Sequence, residues 1–410
     1  MKKRNVVIIG GGLAGLACAN QLQKRNVDFL LLEADDDLGG RVKTDSFQGF
    51  LLDRGFQVLQ TTYPELQNFI DLSQLKLRYF RPGAMVWTGR KFVKIVDPLS
   101  DWKEGLSTAF SKVGTFRDKL KILQLRRQLQ KKSLMEILSS SMDQKTIDYL
   151  KDFGFSDRIL KFFFFPFLRG VFLEEELSTS HKKFEFVFKM FSEGLTGLPE
   201  QGMRLLVDKL VQNIPSEKIQ LNSKVIRVDK NQVFLEHESL EGEHIVLAVD
   251  AEEAGRLMGR ESDIFYHSVT CLYYRAATVP TPGPFILLNG AGRTSINNIC
   301  FLTEINESYG PPGSTLVSVT LLGIPDLMDN ELEYMIYSDL RDWFGARVDE
   351  WELLRIYRIK KAIPQQDKID FPVIDSSPYI LCGDYLDIAS INGALASGRR
   401  AAEKIIRNSN

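Results

Sequence analysis

Gly10, Gly12 and Gly15 stand in a G-x-G-x-x-G spacing near the N-terminus, and the acid Glu33 follows them. These residue types suit the binding of a dinucleotide. The first glycine permits a tight turn, the second lets backbone approach a pyrophosphate, and the third lets a helix pack closely on a strand. The unpaired N–H groups of a helix beginning at Leu13 and Ala14 would face the phosphates, and the Glu33 carboxylate would accept from a ribose hydroxyl. Gly39 and Gly40 allow backbone to lie against a ligand, and Arg41 beside them offers a planar cationic fork suited to phosphate oxygens.

Three elements must hold these groups in place. Val6–Ile9 reads as a buried strand. Leu13 to about Arg25 carries Leu13, Leu16, Ala17 and Leu22 at helical spacing, and Phe29–Leu32 is a second apolar run ending at Glu33. Lys2, Lys3 and Arg4, the apolar run and Ala17-Cys18-Ala19 also imitate a secretion signal. Four glycines within 10–15 make a poor apolar core for one, and cleavage would destroy the dinucleotide unit, so the terminus is read as mature protein.

Further along come Gly49-Phe50-Leu51-Leu52-Asp53-Arg54-Gly55-Phe56-Gln57 and, near the C-terminus, Tyr379-Ile380-Leu381-Cys382-Gly383-Asp384. A last stretch runs from Ser390 through Asn392, Gly393 and Ala394 to Ala402. With the glycine loop, the G-G-R at 39–41 and the D-x-G at 53–55, these segments resemble the flavin-dependent amine oxidase, protoporphyrinogen oxidase and phytoene desaturase superfamily. The resemblance implies an α/β fold: a Rossmann-like FAD-binding domain (GR2, p-hydroxybenzoate-hydroxylase-like) and an α+β substrate domain on an antiparallel sheet. FAD would be bound non-covalently by Gly10, Gly12, Leu13, Ala14, Gly15, Glu33, Gly39, Gly40, Arg41, Gly55, Phe56, Val225, Gly383, Asp384, Asn392, Gly393 and Ala394. Asp384 would meet the ribityl and pyrophosphate region, and backbone at Val225 the adenine side. The small residues of the last helix keep its start slim, and its N-terminal N–H groups favour the negative charge of reduced flavin.

The chain is expected to leave and re-enter the nucleotide domain, giving residues 1–62, 195–260 and 355–410 to FAD and 63–194 and 261–354 to substrate, with a helical subregion at about 100–190. Leu195–Met203 resembles the re-entry segment, followed by strand-like runs at Lys224–Val228, Val233–Leu235 and His244–Val249. Ile159–Leu173 is the most apolar stretch, but Lys161, Pro166 and Arg169 break it well short of the ~20 residues of a membrane span. Most of its phenylalanines are expected in core, with two or three lining a pocket. Arg117–Lys132 carries seven lysines and arginines against Asp118 alone, a rough amphipathic helix suited to a solvated face, with peripheral contact to an anionic membrane as the other option.

From Ile264 onward, runs at 269–276, 285–288, 296–302 and 315–321 suggest an antiparallel sheet, then a helix at 331–344. Gly290-Ala291-Gly292 lacks a third glycine at the required spacing and reads as a hairpin turn, so no second dinucleotide site for NAD(P)H is evident. Ala362-Ile363-Pro364-Gln365 resembles the return segment of the oxidase and desaturase branches. Some amine oxidases place a lysine beside flavin N5 from the sheet; the corresponding 269–275 holds Cys271, Tyr273 and Tyr274 but no lysine, and no covalent-flavin cysteine motif is seen.

The implied activity is hydride transfer from a bulky, mostly apolar small molecule to flavin N5, of the protoporphyrinogen oxidase or desaturase kind, with oxygen, a quinone or another carrier taking the electrons. An amine oxidase, a non-redox flavin-dependent isomerase and an inactive flavin-binding module are the alternatives. No catalytic acid or base is assigned; Arg54, Gln57 and Tyr273 are candidates to face the cavity, each with an ordinary structural explanation.

Composition agrees with such an enzyme and excludes little else. The 410 residues include 52 lysines and arginines against 53 acids, so no global field favours nucleic acid. The four cysteines (18, 271, 300, 382) are scattered and the four histidines dispersed, which argues against a metal site and fits buried thiols in a reducing, cytoplasmic compartment.

Overall fold

The computed structural model describes residues 2–96, 113–280, 283–370, 375–376 and 378–408. The first strand, Lys2–Ile9, lies at the centre of an eight-stranded sheet. Phe29–Leu32 pairs parallel on one side of it and Ser239–Leu247 parallel on the other, with Ile219–Gln220 beyond Phe29–Leu32. Tyr379–Leu381 joins the C-terminal end of Ser239–Leu247 in parallel (Val246↔Ile380), while Gln232–Phe234 and Arg227–Asp229 form an antiparallel meander on its N-terminal half. Strands covered on both faces read as unbroken apolar runs, which is why Val6–Ile9 and Phe29–Leu32 show no alternation.

One face of this sheet carries the helices Leu13–Lys24 and Ile391–Asn408. They approach so closely that a Cβ at Gly398 would lie 2.1 Å from the carbonyl oxygen of Ala14. The two ends of the chain are therefore packed against each other. The opposite face is filled by Val7, Ile9, Leu247, Ala251, Leu257 and neighbours.

Val225 departs from the expected strand. The ladder begins only at Arg227, because the preceding segment bonds elsewhere: Asn222 N–H donates to Asp35 O and Ser223 N–H to Glu33 O. Val225 is buried in this connecting segment, alongside the end of Phe29–Leu32.

The second sheet has seven strands in the order Glu352–Pro364, Tyr266–Ala276, Thr315–Leu322, Ile296–Phe301, Ile286–Asn289, Gly83–Trp87 and Phe92–Val96. All neighbours are antiparallel except Ile286–Asn289 and Gly83–Trp87. Gly290–Gly292 sits in the connection between two antiparallel strands, as a hairpin reading requires. The helix Asp329–Phe344 covers one face through Leu332, Ile336, Leu340 and Trp343. The expected boundary at 355 falls inside Glu352–Pro364, whose ladder to Tyr266–Ala276 places residues 352–364 in this second sheet. Gly83–Val96, from a region expected to be chiefly helical, also contributes two strands.

A helical layer occupies 116–193. Phe116–Lys131 opens on a capping box between Thr115 and Asp118. Three cations of this region are held by protein oxygens: Lys121 by Gly154 O, Arg126 by Ser192 O at 2.7 Å, and Lys132 by Glu185 at 3.0 Å. The apolar stretch is helical throughout, from a short turn at Asp157–Ile159 through one wide turn at Leu160–Phe164 into the helix Phe165–Phe172, with Pro166 just after the wide turn. Its rings pack on one another and on Phe155, Phe184 and Phe191 as core. Phe162, and Phe167 as well, also pack against Ala84, Val86 and Leu288 of the second sheet. Among the described residues no helix is long and apolar enough to cross a membrane. The 97–112 part of the expected helical subregion lies outside the described residues.

Candidate functional site

The glycine loop sits where the first strand ends. Gly10 turns the chain with φ 109°, and a Cβ there would meet Ala248 O at 2.7 Å. Gly12 and Gly15 differ in kind. A Cβ on Gly15 would lie 1.9 Å from Gly10 O, so this glycine serves the close packing of helix on strand. A Cβ on Gly12 would meet nothing within 4 Å; Gly12 borders open space at the start of helix Leu13–Lys24. The first amides of that helix, at Leu13 and Ala14, have no carbonyl four residues earlier within the helix to pair with.

Glu33 braces this loop. Its Oε2 accepts from Gly11 N–H at 2.6 Å and its Oε1 from Asp35 N–H at 2.9 Å, leaving each oxygen a further lone pair. The Gly39–Gly40 turn lies against the same loop: Gly39 N–H donates to Gly11 O at 2.9 Å, and a Cβ on Gly40 would come 3.3 Å from Gly12 Cα.

Arg41 then reaches across the molecule. Its Nη2 donates to Asp384 Oδ1 at 2.6 Å and its Nη1 to Ala362 O at 3.1 Å, while its side chain keeps 40% of its surface accessible. It is tied deep in the fold yet borders space. Burial opposes the guanidinium charge, but Asp384 more than offsets this and raises its pKa. Gln57 Nε2 holds the Arg41 carbonyl at 2.9 Å, and its Oε1 is buried without a partner.

Gly383, Asn392, Gly393 and Ala394 cluster near Asp384 at the start of the final helix. Gly383 N–H donates to Ser397 Oγ at 3.0 Å, and the Asn392 side chain accepts from Glu65 N–H at 3.0 Å. Asn392 thus also ties the final helix to the segment 64–69. Gly393 is needed for packing, since a Cβ would fall 2.0 Å from Ile388 O.

Gly55 and Phe56 lie beyond a buried network centred on Asp53. Asp53 accepts from Thr44 Oγ1, from Met203 N–H at 2.9 Å and from Tyr309 OH at 2.8 Å. Burial pushes its carboxyl up to about 6 against the pull of these three donors. Tyr273, a candidate cavity residue, is fully buried with its OH on Asp53 O at 2.8 Å. Arg54, another candidate, pairs with Asp45 at 3.0 Å on the exposed side. The D-x-G segment is therefore anchored by Tyr273 of the second sheet and by Tyr309 of the turn Glu307–Tyr309 between two of its strands.

Two titratable groups escaped sequence reasoning. Lys183, on the helix His181–Glu193, is 2% exposed, with its ammonium 5.6 Å from the centroid of Phe172. Burial lowers its pKa to about 8, opposed by Asp384 and Glu174. His267 on the strand Tyr266–Ala276 has a buried Nε2 without a partner, and burial lowers its pKa too. Lys183 is the last residue of the run His181-Lys182-Lys183 and is followed by Phe184. A lysine turned inward among phenylalanines at helical spacing was the only available signal. No group of three or more metal-ligating side chains occurs among the described residues, and the four cysteines are buried and free.

A family model described as flavin containing amine oxidoreductase matches residues 13–406. Protoporphyrinogen oxidase 2, chloroplastic/mitochondrial, of Arabidopsis thaliana is 22% identical over 262 residues, 56% of this chain and 51% of that protein. The match thus spans about half the length of this curated relative. A solved structure from Exiguobacterium sp. 255-15, assigned as a protoporphyrinogen oxidase, superposes with a TM-score of 0.76 at 18% identity over 99% of each chain. Cyclohexylamine oxidase from Brevibacterium oxydans IH-35A gives 0.73 at 15% identity, again over 99% of each. At these identities the superpositions report the shared fold.

Proposed function

The chain belongs to the flavin containing amine oxidoreductase family, and on that premise we propose that it binds FAD non-covalently and oxidises a bulky, mostly apolar small molecule. The residues present fit the cofactor. Gly12 and Gly40 leave a cradle that a side chain at Gly12 would fill, at the start of a helix whose first amides favour phosphate. Glu33 retains lone pairs for a ribose, and the Arg41 fork retains N–H groups beyond the two in use.

The observation that carries this reading is that the glycine loop, with the Gly39–Gly40 turn against it, is joined to the Arg41–Asp384 pair from opposite ends of the chain. When bound, FAD supplies hydride acceptance at N5. The protein's part is positional and electrostatic. Glu33, Arg41 and Asp384 hold the nucleotide and ribityl portions. The D-x-G segment, fixed by Tyr273 and Tyr309, sets the floor near Gly55 and Phe56. Phe162 and Phe167, half-buried where they pack on the second sheet, are apolar groups suited to excluding water and orienting an apolar substrate. Oxygen, a quinone or another carrier would remove the electrons.

A visible absorption spectrum before and after denaturation tests the cofactor, and anaerobic mixing with porphyrinogens, carotenes and amines tests the substrate. Yellow protein that releases FAD and bleaches with a porphyrinogen or carotene is the expected result. Bleaching with amines alone would move the activity to the amine oxidase side. Colourless protein that cannot be reconstituted would sink the reading.

A further inference from the structure

The helix Phe116–Lys131 presents two unlike faces. Asp118, Leu125 and Leu129 are buried and Ile122 is half-buried, and their spacing of three and four residues puts them on one side of the helix, in the core it shares with His181–Glu193. Phe116, Leu120, Arg127 and Lys131 follow one another at intervals of four, seven and four residues. At 3.6 residues per turn this second stripe lies roughly opposite the first. All four of its side chains are exposed, Phe116 by 68% and Leu120 by 52%.

Two further observations mark this outer face. Among the described residues ten large apolar side chains are exposed, and four of them (Phe116, Leu120, Met135 and Met142) fall within 116–142. Exposed apolar side chains scattered singly need no explanation, but such a concentration calls for a covering. The same residues hold seven lysines and arginines against two acids, in a chain whose net charge is −1. Both acids are committed to helix caps: Asp118 to Thr115, with Ser156 donating to it as well, and Glu136 to Ser133. Arg117, Arg127 and Lys131 are exposed and make no hydrogen bond or ion pair among the described residues.

We infer that the outer face of Phe116–Lys131 docks on an anionic phospholipid bilayer. The helix lies in the membrane plane, Phe116 and Leu120 enter the boundary between headgroups and acyl chains, and Arg127 and Lys131 meet lipid phosphates. Nucleic acid would use the cations but not Phe116 and Leu120. A second copy joined across a two-fold axis would set the same cations against one another. The inference holds whether or not FAD is the cofactor.

The test is cosedimentation of the purified full chain with vesicles of phosphatidylcholine alone and of an equal mixture with phosphatidylglycerol. Binding to the mixed vesicles only is expected, with most of it lost at about 1 M salt, where the Debye length is about 3 Å. Arg127→Gln and Lys131→Gln should each weaken the partition coefficient about fivefold. Phe116→Ser with Leu120→Ser should weaken it about tenfold or more. These positions are exposed, so melting temperatures should stay at the wild-type value, which separates lost docking from lost folding. Binding to neither vesicle, or equal binding to both, would overturn the inference. So would wild-type partitioning of the Phe116/Leu120 double variant. A labelled DNA duplex retained without vesicle binding would give the face to nucleic acid, and a dimer in sedimentation velocity that the double variant abolishes would give it to a second copy; either result refutes the bilayer.

Discussion

Asp384 Oδ1 accepts a hydrogen bond from Arg41 Nη2 at 2.6 Å across 343 residues of chain. The pair joins the segment after the glycine loop to the strand-end turn before the final helix, and both partners border the space proposed for the cofactor. Arg41→Lys keeps the charge but loses the planar fork that serves Asp384 and Ala362 together. Its FAD dissociation constant, followed by fluorescence, is expected to rise about tenfold, and that of Arg41→Ala by up to about 100-fold. An unchanged affinity in Arg41→Ala would remove Arg41 from the site.

Gly12 and Gly15 should separate binding from folding. A Cβ at Gly12 meets open space and φ there is −74°, so Gly12→Ala should keep its melting temperature without ligand while losing FAD. A Cβ at Gly15 would strike backbone at 1.9 Å, so Gly15→Ala should be destabilised by several kcal/mol or fail to fold. Retention of flavin by Gly12→Ala would contradict the proposed path of the pyrophosphate.

Lys183 should make stability depend on alkaline pH. Its folded pKa of about 8 lies below the ordinary lysine value, so the unfolded chain binds more protons between about 8 and 10.5. The penalty is complete below pH 8 and fades as pH rises to about 10.5. Without added ligand, Lys183→Met should therefore be more stable at pH 7 by on the order of 3 kcal/mol, a gain that shrinks above pH 8 in urea titrations. A difference independent of pH would show that Lys183 is not held charged in the interior.

Asp53 shifts in the opposite sense. Its folded pKa of about 6 lies above the unfolded value near 3.8, so the native state takes up a proton first, and stability from this group falls as pH rises through that window. Between pH 7 and pH 5 the wild type should gain about 1 kcal/mol from it, and Asp53→Asn should gain nothing there. Asp53→Ala strands donors on Thr44, Met203 and Tyr309 and should cost about 3 kcal/mol or more by denaturant titration. A variant as stable as wild type would mean that the three donors find other acceptors.

Local chemistry made both ends of the chain legible. The turn at Gly10–Gly15, the apolar runs at 6–9 and 29–32 and the small residues of the final helix carry their meaning within a few residues, because steric limits and burial on both faces act at that range. The strands from 266 to 322 were readable for the same reason. Less was legible where a residue's fate depends on a distant partner. Val225 has β-forming neighbours, yet Asp35 and Glu33 hold the amides of Asn222 and Ser223 just before it, and the strand begins at Arg227. Arg54 and Tyr273 had the chemistry of cavity residues, but Asp45 and the Asp53 carbonyl take them.

The sequence by itself determined the family, the glycine loop and the class of fold, since these follow from residue type and short spacing. Only the tertiary structure decided that Gly12 borders open space while Gly15 serves packing, that Arg41 meets Asp384, and that Lys183 alone of the three buried lysines of the helix His181–Glu193 lacks an acceptor among the described residues. Burial and hydrogen-bond completion are properties of what surrounds an atom, and those surroundings are assembled from segments hundreds of residues apart.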